Sequence, residues 1–331
     1  MPPIPPGKLP SALLRELLGS LPPAPPEVRL GPAVGEDACA IDVPAGTLVV
    51  ATDPITLTGA GVGRHAVVVN ANDVAVMGVR PRWFLAVVLL PEGALEAEAR
   101  ALFASLAEGV AEAGVALVGG HTEVTSAVNQ PVVVGQMLGL AEDHRFVPTG
   151  GVRPGDAIVQ AGPAPVEAAA VLAGEAGARL AALDVATLAR ARGALREPGI
   201  SVVEAALAAA ALGATALHDP TEGGLAAGLA ELALASGVAL SIDAERVLWF
   251  EPGRAVCHAL GADPWGALAS GALLAAFPPE LAGAACDALA KRGIPAHAIG
   301  RAEAGSGVTF RDGAPLPDFA RDEVVRVLGL R

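Results

Sequence analysis

Two successive α/β domains are what this sequence predicts, and three observations predict them. The chain has 331 residues, enough for about two domains at roughly 100–200 residues each. Short apolar runs alternate with longer stretches whose apolar residues recur at helical spacing, the pattern of mixed strand and helix layers. A cluster of turn formers, Thr149-Gly150-Gly151-Val152-Arg153-Pro154-Gly155-Asp156, divides the alternation in two. The expected divisions are an arm over residues 1–30, a first domain over 31–150 and a second over 151–331.

The arm carries a short helix over residues 11–21 between two proline clusters, since proline stops helices and stiffens linkers. Residues 38–43 and 47–52 then read as strands. A glycine-rich loop over 58–63 opens a helix over 64–77, stopped by Gly78 and by Pro81 soon after. Residues 83–90 form an apolar strand. Residues 95–113 form a long helix with Leu102, Leu106 and Val110 on one face. Residues 116–118 begin a strand that runs into Gly119-Gly120-His121-Thr122-Glu123, and 130–140 is a further strand. In the second half, 157–160 is a strand, 202–217 reads as a buried Ala-rich helix, and the turn 218–224 opens a helix to about residue 235. A strand over 238–242 and a last helix within 321–331 follow. No fixed-period repeat is present.

Hydrophobic residues make up 53% of the chain, so a large core is available and global disorder is excluded. The formal net charge of −13 argues against a nucleic-acid binder or an anionic membrane surface as partner. It leaves a metal–nucleotide complex open, because a bound cation inverts the local charge balance. A P-loop needs lysine followed by Ser or Thr. The two lysines, Lys8 and Lys291, precede Leu9 and Arg292, so that device is excluded. The longest strongly apolar run, residues 85–90, is too short to cross a bilayer. The start, Met1-Pro-Pro-Ile-Pro-Pro, lacks the charged and apolar regions of a secretory signal. Cys39, Cys257 and Cys286 form no C-x-x-C pair, so a reduced, cytoplasmic setting is expected.

Four polar clusters in the first half carry candidate chemistry: Gly35-Glu36-Asp37-Ala38, Thr52-Asp53-Pro54, Asn70-Ala71-Asn72-Asp73 and Gly119-Gly120-His121-Thr122-Glu123. Asn70 and Asp73 share one face of an otherwise apolar helix. A carboxylate there is costly to bury unless it meets an arginine or a hard cation such as Mg²⁺, which binds through a few carboxylates plus phosphates. Each aspartate alone also reads as a turn former or cap. The loop Gly59-Ala60-Gly61-Val62-Gly63-Arg64 fails the dinucleotide pattern at Arg64. It is either a flexible loop or, through Gly61 and its neighbours, an anion contact. In the second half, His218-Asp219-Pro220-Thr221-Glu222-Gly223-Gly224-Leu225 places a cap residue and a glycine pair before an apolar helix.

Taken in order, Gly-Glu-Asp-Ala, Thr-Asp, Val-Asn-Ala-Asn-Asp-Val-Ala-Val-Met-Gly-Val-Arg-Pro, Leu-Val-Gly-Gly-His-Thr and His-Asp-Pro-Thr-Glu-Gly-Gly-Leu resemble the aminoimidazole ribonucleotide (AIR) synthase-like, or PurM-like, superfamily. The resemblance runs from about residue 8 to residue 310. The nearest branch is HypE-like, through residues 76–81, 219–224 and 260–271. It implies a mixed N-terminal sheet that pairs with a second copy into a β-barrel, a C-terminal α/β sandwich, and ATP in a cleft at the dimer interface. It further implies ATP- and Mg²⁺-dependent phosphorylation of an oxygen of a small amide- or carbamoyl-type substrate, and a partner protein in hydrogenase maturation. On the residues, it implies Asp37, Asp53 and Asp73 at the metal, with His121 where relatives carry aspartate. Asn70, Asp73, Gly61, Gly119, Gly120 and Thr122 would line ATP. Asp219, Thr221 and Glu222 would form the catalytic, substrate-side turn.

Three departures alter that expectation. Imidazole is a poorer Mg²⁺ ligand than carboxylate, though Glu123 is near, and Glu222 stands where the HypE-like branch often has Arg. The chain also ends Val325-Arg326-Val327-Leu328-Gly329-Leu330-Arg331 without cysteine, so the thiocyanate step that HypE performs on its own terminal thiol is not expected. A small-molecule kinase resembling thiamine-monophosphate kinase, and a non-catalytic nucleotide-binding accessory protein, are the alternative readings.

Overall fold

The structure, a computed structural model, describes residues 11, 12, 15, 26–30, 33–56 and 61–329. Of the expected arm only residues 11, 12, 15 and 26–30 are described, so most of its helix and proline clusters, with positions 58–60 of the glycine-rich loop, lie outside the described residues. The fold is mixed α/β with two six-stranded sheets, one in each of two compact units. The first unit comprises residues 26–30 and 37–146, and the second residues 33–36 and 147–329.

In the first unit the strands are β1 (Val28–Leu30), β2 (Cys39–Val43), β3 (Gly46–Ile55), β4 (Pro81–Pro91), β5 (Ala116–Thr125) and β6 (Val132–Ala141). Their order is β1-β2-β3-β6-β4-β5, antiparallel except for the β4–β5 pair. Helix α1 (Val62–Ala75) covers one face of this sheet and α2 (Glu96–Ala113) packs on α1. Lying between sheet and helix, α1 is buried on almost every side, including His65, Asn70 and Asn72. The two helices approach closely at glycines. A Cβ on Gly63 would stand 2.6 Å from the carbonyl oxygen of Leu102, and one on Gly109 would stand 2.9 Å from Cα of Arg64. Gly63 in the glycine-rich loop is therefore explained by helix packing. Leu102 and Leu106 are buried beside it, as the sequence spacing predicts.

Strand alternation divides this sheet into two unlike faces. Val49, Ala51, Phe84, Ala86, Val133 and Met137 point to the helices and are buried. Leu48, Val50, Leu85, Val87, Val134 and Leu138 point the other way and are only half-buried. The edge strand β5 is exposed along nearly its whole length, with Leu117 at 45%, Val118 at 56% and Val124 at 60%.

The second unit holds β7 (Ala157–Ala161), β8 (Ala216–His218), β9 (Ala239–Ile242), β10 (Leu273–Phe277), β11 (Ala296–Glu303) and β12 (Gly307–Phe310), ordered β12-β9-β11-β7-β10-β8. Its helices are α3 (Val166–Glu175), α4 (Val185–Arg192), α5 (Val203–Ala211), α6 (Gly224–Ser236), α7 (Glu251–Leu260), α8 (Pro279–Ala290) and α9 (Glu323–Leu328). Leu225, Leu229 and Leu232 of α6 join Ile158, Leu240, Leu274 and Ile299 of the sheet in one core, while α5 and α8 pack on β10. The single helix expected over 202–217 is not what forms. α5 stops at Ala211, Gly213 turns the chain with φ +94°, and residues 216–218 enter the sheet against β10. An Ala-rich run satisfies a helix and a fully buried strand equally, so periodicity alone could not separate them. No helix among the described residues is long and apolar enough to cross a membrane.

Gly63→Ala should force α1 and α2 apart and lower stability by about 1–3 kcal/mol, read by urea denaturation.

Candidate active site

The first cluster is built on the helix-covered face of the first sheet. Asp53 pairs across β3 with Gly135 of β6, Gly135 with Ala86 of β4, and Ala86 with Gly120 of β5. Directly paired residues share a face, so these four form one row. Asn70 lies over it, because a Cβ on Gly135 would collide with the Asn70 amide. The Asn70 amide is fully buried and spent on backbone. Its Oδ1 accepts from the Asp53 N–H at 2.9 Å, and its Nδ2 donates to the carbonyls of Asp53 at 3.2 Å and Ala66 at 2.9 Å. Asn70 thus locks Asp53 in place. A polar residue in so apolar a helix is accounted for by this clamp.

Thr122 follows in the next row on the same face, paired with Val88. His121 does not. It pairs with Val87 on the opposite face, where its Nε2 lies 3.2 Å from Oε2 of Glu123. Gly119 faces that way too, paired with Leu85. The run Gly119-Gly120-His121-Thr122 is therefore split by the two-residue period, and His121 cannot share an ion with Asp53 within one chain. More broadly, the expected metal group of Asp37, Asp53, Asp73 and His121 is not assembled. Among the described residues no three His, Cys, Asp or Glu side chains gather closely enough to hold a metal. Asp37 stands before β2, Asp53 within β3 and Asp73 on α1, so each comes from a different element.

Gly120 has its own structural reason. Its φ is +146°, and a Cβ there would run into the carbonyl oxygen of Ala86. Gly61, with φ +99°, is the N-cap of α1, and no side chain caps that helix. Of the first backbone donors of α1, the Arg64 N–H is taken by Ser105 Oγ at 2.9 Å.

The second cluster lies in the second unit, where β8 leads into α6. Asp219 is buried at 3% exposure, and Thr221 and Glu222 are half-exposed. The sequence suggests Asp219 or Thr221 as the cap of α6, but the cap is Gly223, left-handed at φ +84°, with no side-chain bond. Gly224 follows at φ +69°, and its missing Cβ admits the backbone of residues 265–267. The Thr221 carbonyl accepts from the N–H groups of Gly224 and Ala269, both at 3.1 Å. His218, also buried, places Nε2 3.1 Å from Oε2 of Glu231 on α6.

Asp322 joins this cluster unannounced by any local motif. It is 2% exposed, and its Oδ2 accepts from the Gly223 N–H at 2.8 Å while its Oδ1 accepts from the Val324 N–H at 2.8 Å. Burial, aided by the nearby Glu222 charge, pushes its carboxyl up to about 7 from the ordinary 3.8, against the backbone hydrogen bonds of Gly223, Val324 and Leu268 that lower it.

Family comparison identifies both units. AIR synthase related protein, N-terminal domain, matches residues 35–141, and AIR synthase related protein, C-terminal domain, matches residues 153–313. The chain belongs to the AIR synthase related family. Carbamoyl dehydratase HypE of Rhodobacter capsulatus is 34% identical over 76% of this chain and 72% of its own. A crystal structure of the hydrogenase maturation protein HypE in complex with ATP is 26% identical at a TM-score of 0.71, covering 89% of this chain and 92% of that one. Thiamine monophosphate kinase from Aquifex aeolicus shares the fold, at 20% identity and a TM-score of 0.69, over 92% of this chain and 96% of that one. The PurM-like two-domain architecture expected from the motifs is thus the fold of this family member, and its relatives place it on the HypE-like side.

Two tests follow from the geometry. Asn70→Ala leaves the Asp53 and Ala66 backbone groups without their amide partners and should cost about 2–4 kcal/mol in denaturant unfolding, since each stranded buried group costs about 1–3 kcal/mol. For Asp322 the raised value sets the sign. As pH climbs from about 4 to about 7, the folded state keeps a proton that the unfolded chain has released, so this group's contribution lowers stability across that window. The stability–pH curve of Asp322→Asn should be flatter there.

Proposed function

We propose that this chain is an ATP- and Mg²⁺-dependent enzyme of HypE-like type, which activates an oxygen of a small amide- or carbamoyl-type substrate by phosphorylation. The row Asp53–Gly135–Ala86–Gly120 beneath the buried Asn70 clamp carries the reading. The clamp fixes the Asp53 backbone at one end of a row that is closed by Asn70 over Gly135 and runs out to Gly120 on the exposed strand β5. The 34% identical carbamoyl dehydratase and the ATP complex of HypE support it from the side of the relatives.

The donor chemistry fits Mg²⁺ delivered with its nucleotide. Asp37, Asp53 and Asp73 offer hard oxygens from three elements, and among the described residues no closed cage competes for the ion. Mg²⁺ is ordinarily held by one or two carboxylates plus substrate phosphates rather than by an all-protein cage. When bound, it neutralises charge on the transferred phosphoryl group. Asp53, held by Asn70, fixes one contact, and Asp73, one helical turn beyond Asn70, offers another. Gly120 and Thr122 bring backbone and hydroxyl donors on the same face, and Gly61 opens α1 toward an anion. Gly119 and His121, on the opposite face, are not assigned to this chain's own nucleotide. Asp219, Thr221 and Glu222 form the substrate-side turn. There the two left-handed glycines let a small molecule approach the turn backbone closely, beside the half-exposed Thr221 and Glu222 side chains.

A second copy of the chain completes the first unit in this reading. Half-buried Leu48, Val50, Leu85, Val87, Val134 and Leu138 present an apolar sheet face, and β5 presents an exposed edge. Such surfaces are normally covered by a partner, and a homodimeric barrel covers both. Action beside another hydrogenase maturation protein belongs to the same proposal.

Calorimetric titration should show Mg-ATP binding that Asp53→Asn weakens at least tenfold; absence of heat and of thermal shift at millimolar nucleotide defeats the reading. Val134→Arg, which sets a charge in the apolar face, should convert a dimer to monomer in sedimentation velocity.

A further inference from the structure

We propose that Asp322 is a positioning residue for the 221–224 turn, accepting the Gly223 N–H and so fixing the turn backbone in the shape a bound substrate needs. The inference rests on the reading of that turn as the substrate side. Its grip comes from 99 residues further along the chain, so the turn is set by tertiary structure rather than by its own sequence. Left-handed glycines at 223 and 224 leave the turn backbone intrinsically free. Three contacts remove that freedom: Ala269 N–H on the Thr221 carbonyl, the backbone of 265–267 packed against Gly224, and Asp322 on Gly223. Of these only the last is a charged side chain, and hydrogen bonds from backbone N–H to carboxylate are the stronger kind.

The next residue works beside it. Oε2 of Glu323 accepts from the Asp263 N–H at 2.8 Å, and Asp263 Oδ1 accepts from the Trp265 N–H at 3.0 Å. Asp322 and Glu323 together fasten the turn and the 263–269 segment that packs on it. The titratable groups around Asp322 are Glu222 on the turn, Cys257 on α7, and Arg321 and Glu323 beside it in sequence. Burial first, then the charges of Asp322, Glu323 and Asp263, push the Cys257 thiol up to about 12. It stays a neutral thiol and leaves the carboxylates to govern the site.

The chemistry of the replacement makes the role testable. Asn caps helices as well as Asp does, so Asp322→Asn keeps α9 capped through Val324. It has one acceptor oxygen, however, for the backbone N–H groups of Gly223, Val324 and Leu268 that Asp322 now serves. Hydrogen–deuterium exchange on the full chain should show exchange in peptides covering 219–226 rising about tenfold in this variant. Peptides from β3 and β10 report global folding and should not change. In the wild type, protection of 219–226, corrected for intrinsic rates, should fall from about pH 5 to about pH 7, because opening the turn frees the buried carboxyl to release its proton, and the variant should lack that fall. In Mg-ATP turnover the variant should lose about tenfold in kcat with KM for ATP unchanged. Unchanged exchange, or altered exchange with wild-type kcat and pH profile, overturns the proposal. Absence of turnover in the wild type would instead count against the ATP-dependent reading, and the exchange data then decide the Asp322 grip by themselves.

Discussion

The first unit depends on one buried amide. Asn70 sits on a helix that is otherwise almost wholly apolar, yet its three hydrogen bonds all go to backbone, two of them to Asp53. Placing an amide in such surroundings is tolerable only because every polar atom finds a partner. The consequence is geometric. Helix α1 and strand β3 are tied at one point, and Asp53 is fixed on the helix-covered face with Gly135, Ala86 and Gly120 in line beside it. The backbone of the aspartate is fixed by a residue that need not touch a ligand. Chemistry and framework are divided between neighbours on different elements.

The same sheet shows why strand alternation matters more than sequence proximity. Gly119, Gly120, His121 and Thr122 are consecutive, but the two-residue period sends alternate members to opposite faces. Gly120 and Thr122 remain with Asp53. Gly119, His121 and Glu123 turn to the face that also bears Leu85 and Val87. An imidazole in place of a carboxylate at position 121 therefore need not weaken a metal site on the helix side. It lies on the face where another copy of the sheet is proposed to pack.

Much of this was legible in the sequence because it is written locally. The strands around residues 39–43, 46–55 and 81–91, and the stripe of Leu102 and Leu106, follow from periodicity, and the order of polar motifs points to the family. Two kinds of feature were hidden. One is the Ala-rich run after Val202, where alanine satisfies helix and buried strand alike and the break at Gly213 is decided by pairing with β10. The other is contact across distance. Asp322 lies outside every local motif, and nothing near it in sequence announces Gly223.

Asn70 and Asp322 answer the same physical problem in the two units. A site that receives a flexible, charged ligand needs close-approaching backbone, and glycine supplies that at the cost of conformational freedom. Gly120 and Gly135 are immobilised by the sheet ladder, so the first unit needs only an amide to lock the neighbouring aspartate. Gly223 and Gly224 lie in a turn with no ladder, and neutral packing restrains the backbone without directing its N–H. A buried carboxylate does both, and the energetic consequence of that choice is a group poised near neutrality. The difference between amide and carboxylate thus follows from the difference between strand and turn, and it places the carboxyl raised by burial in the second cluster.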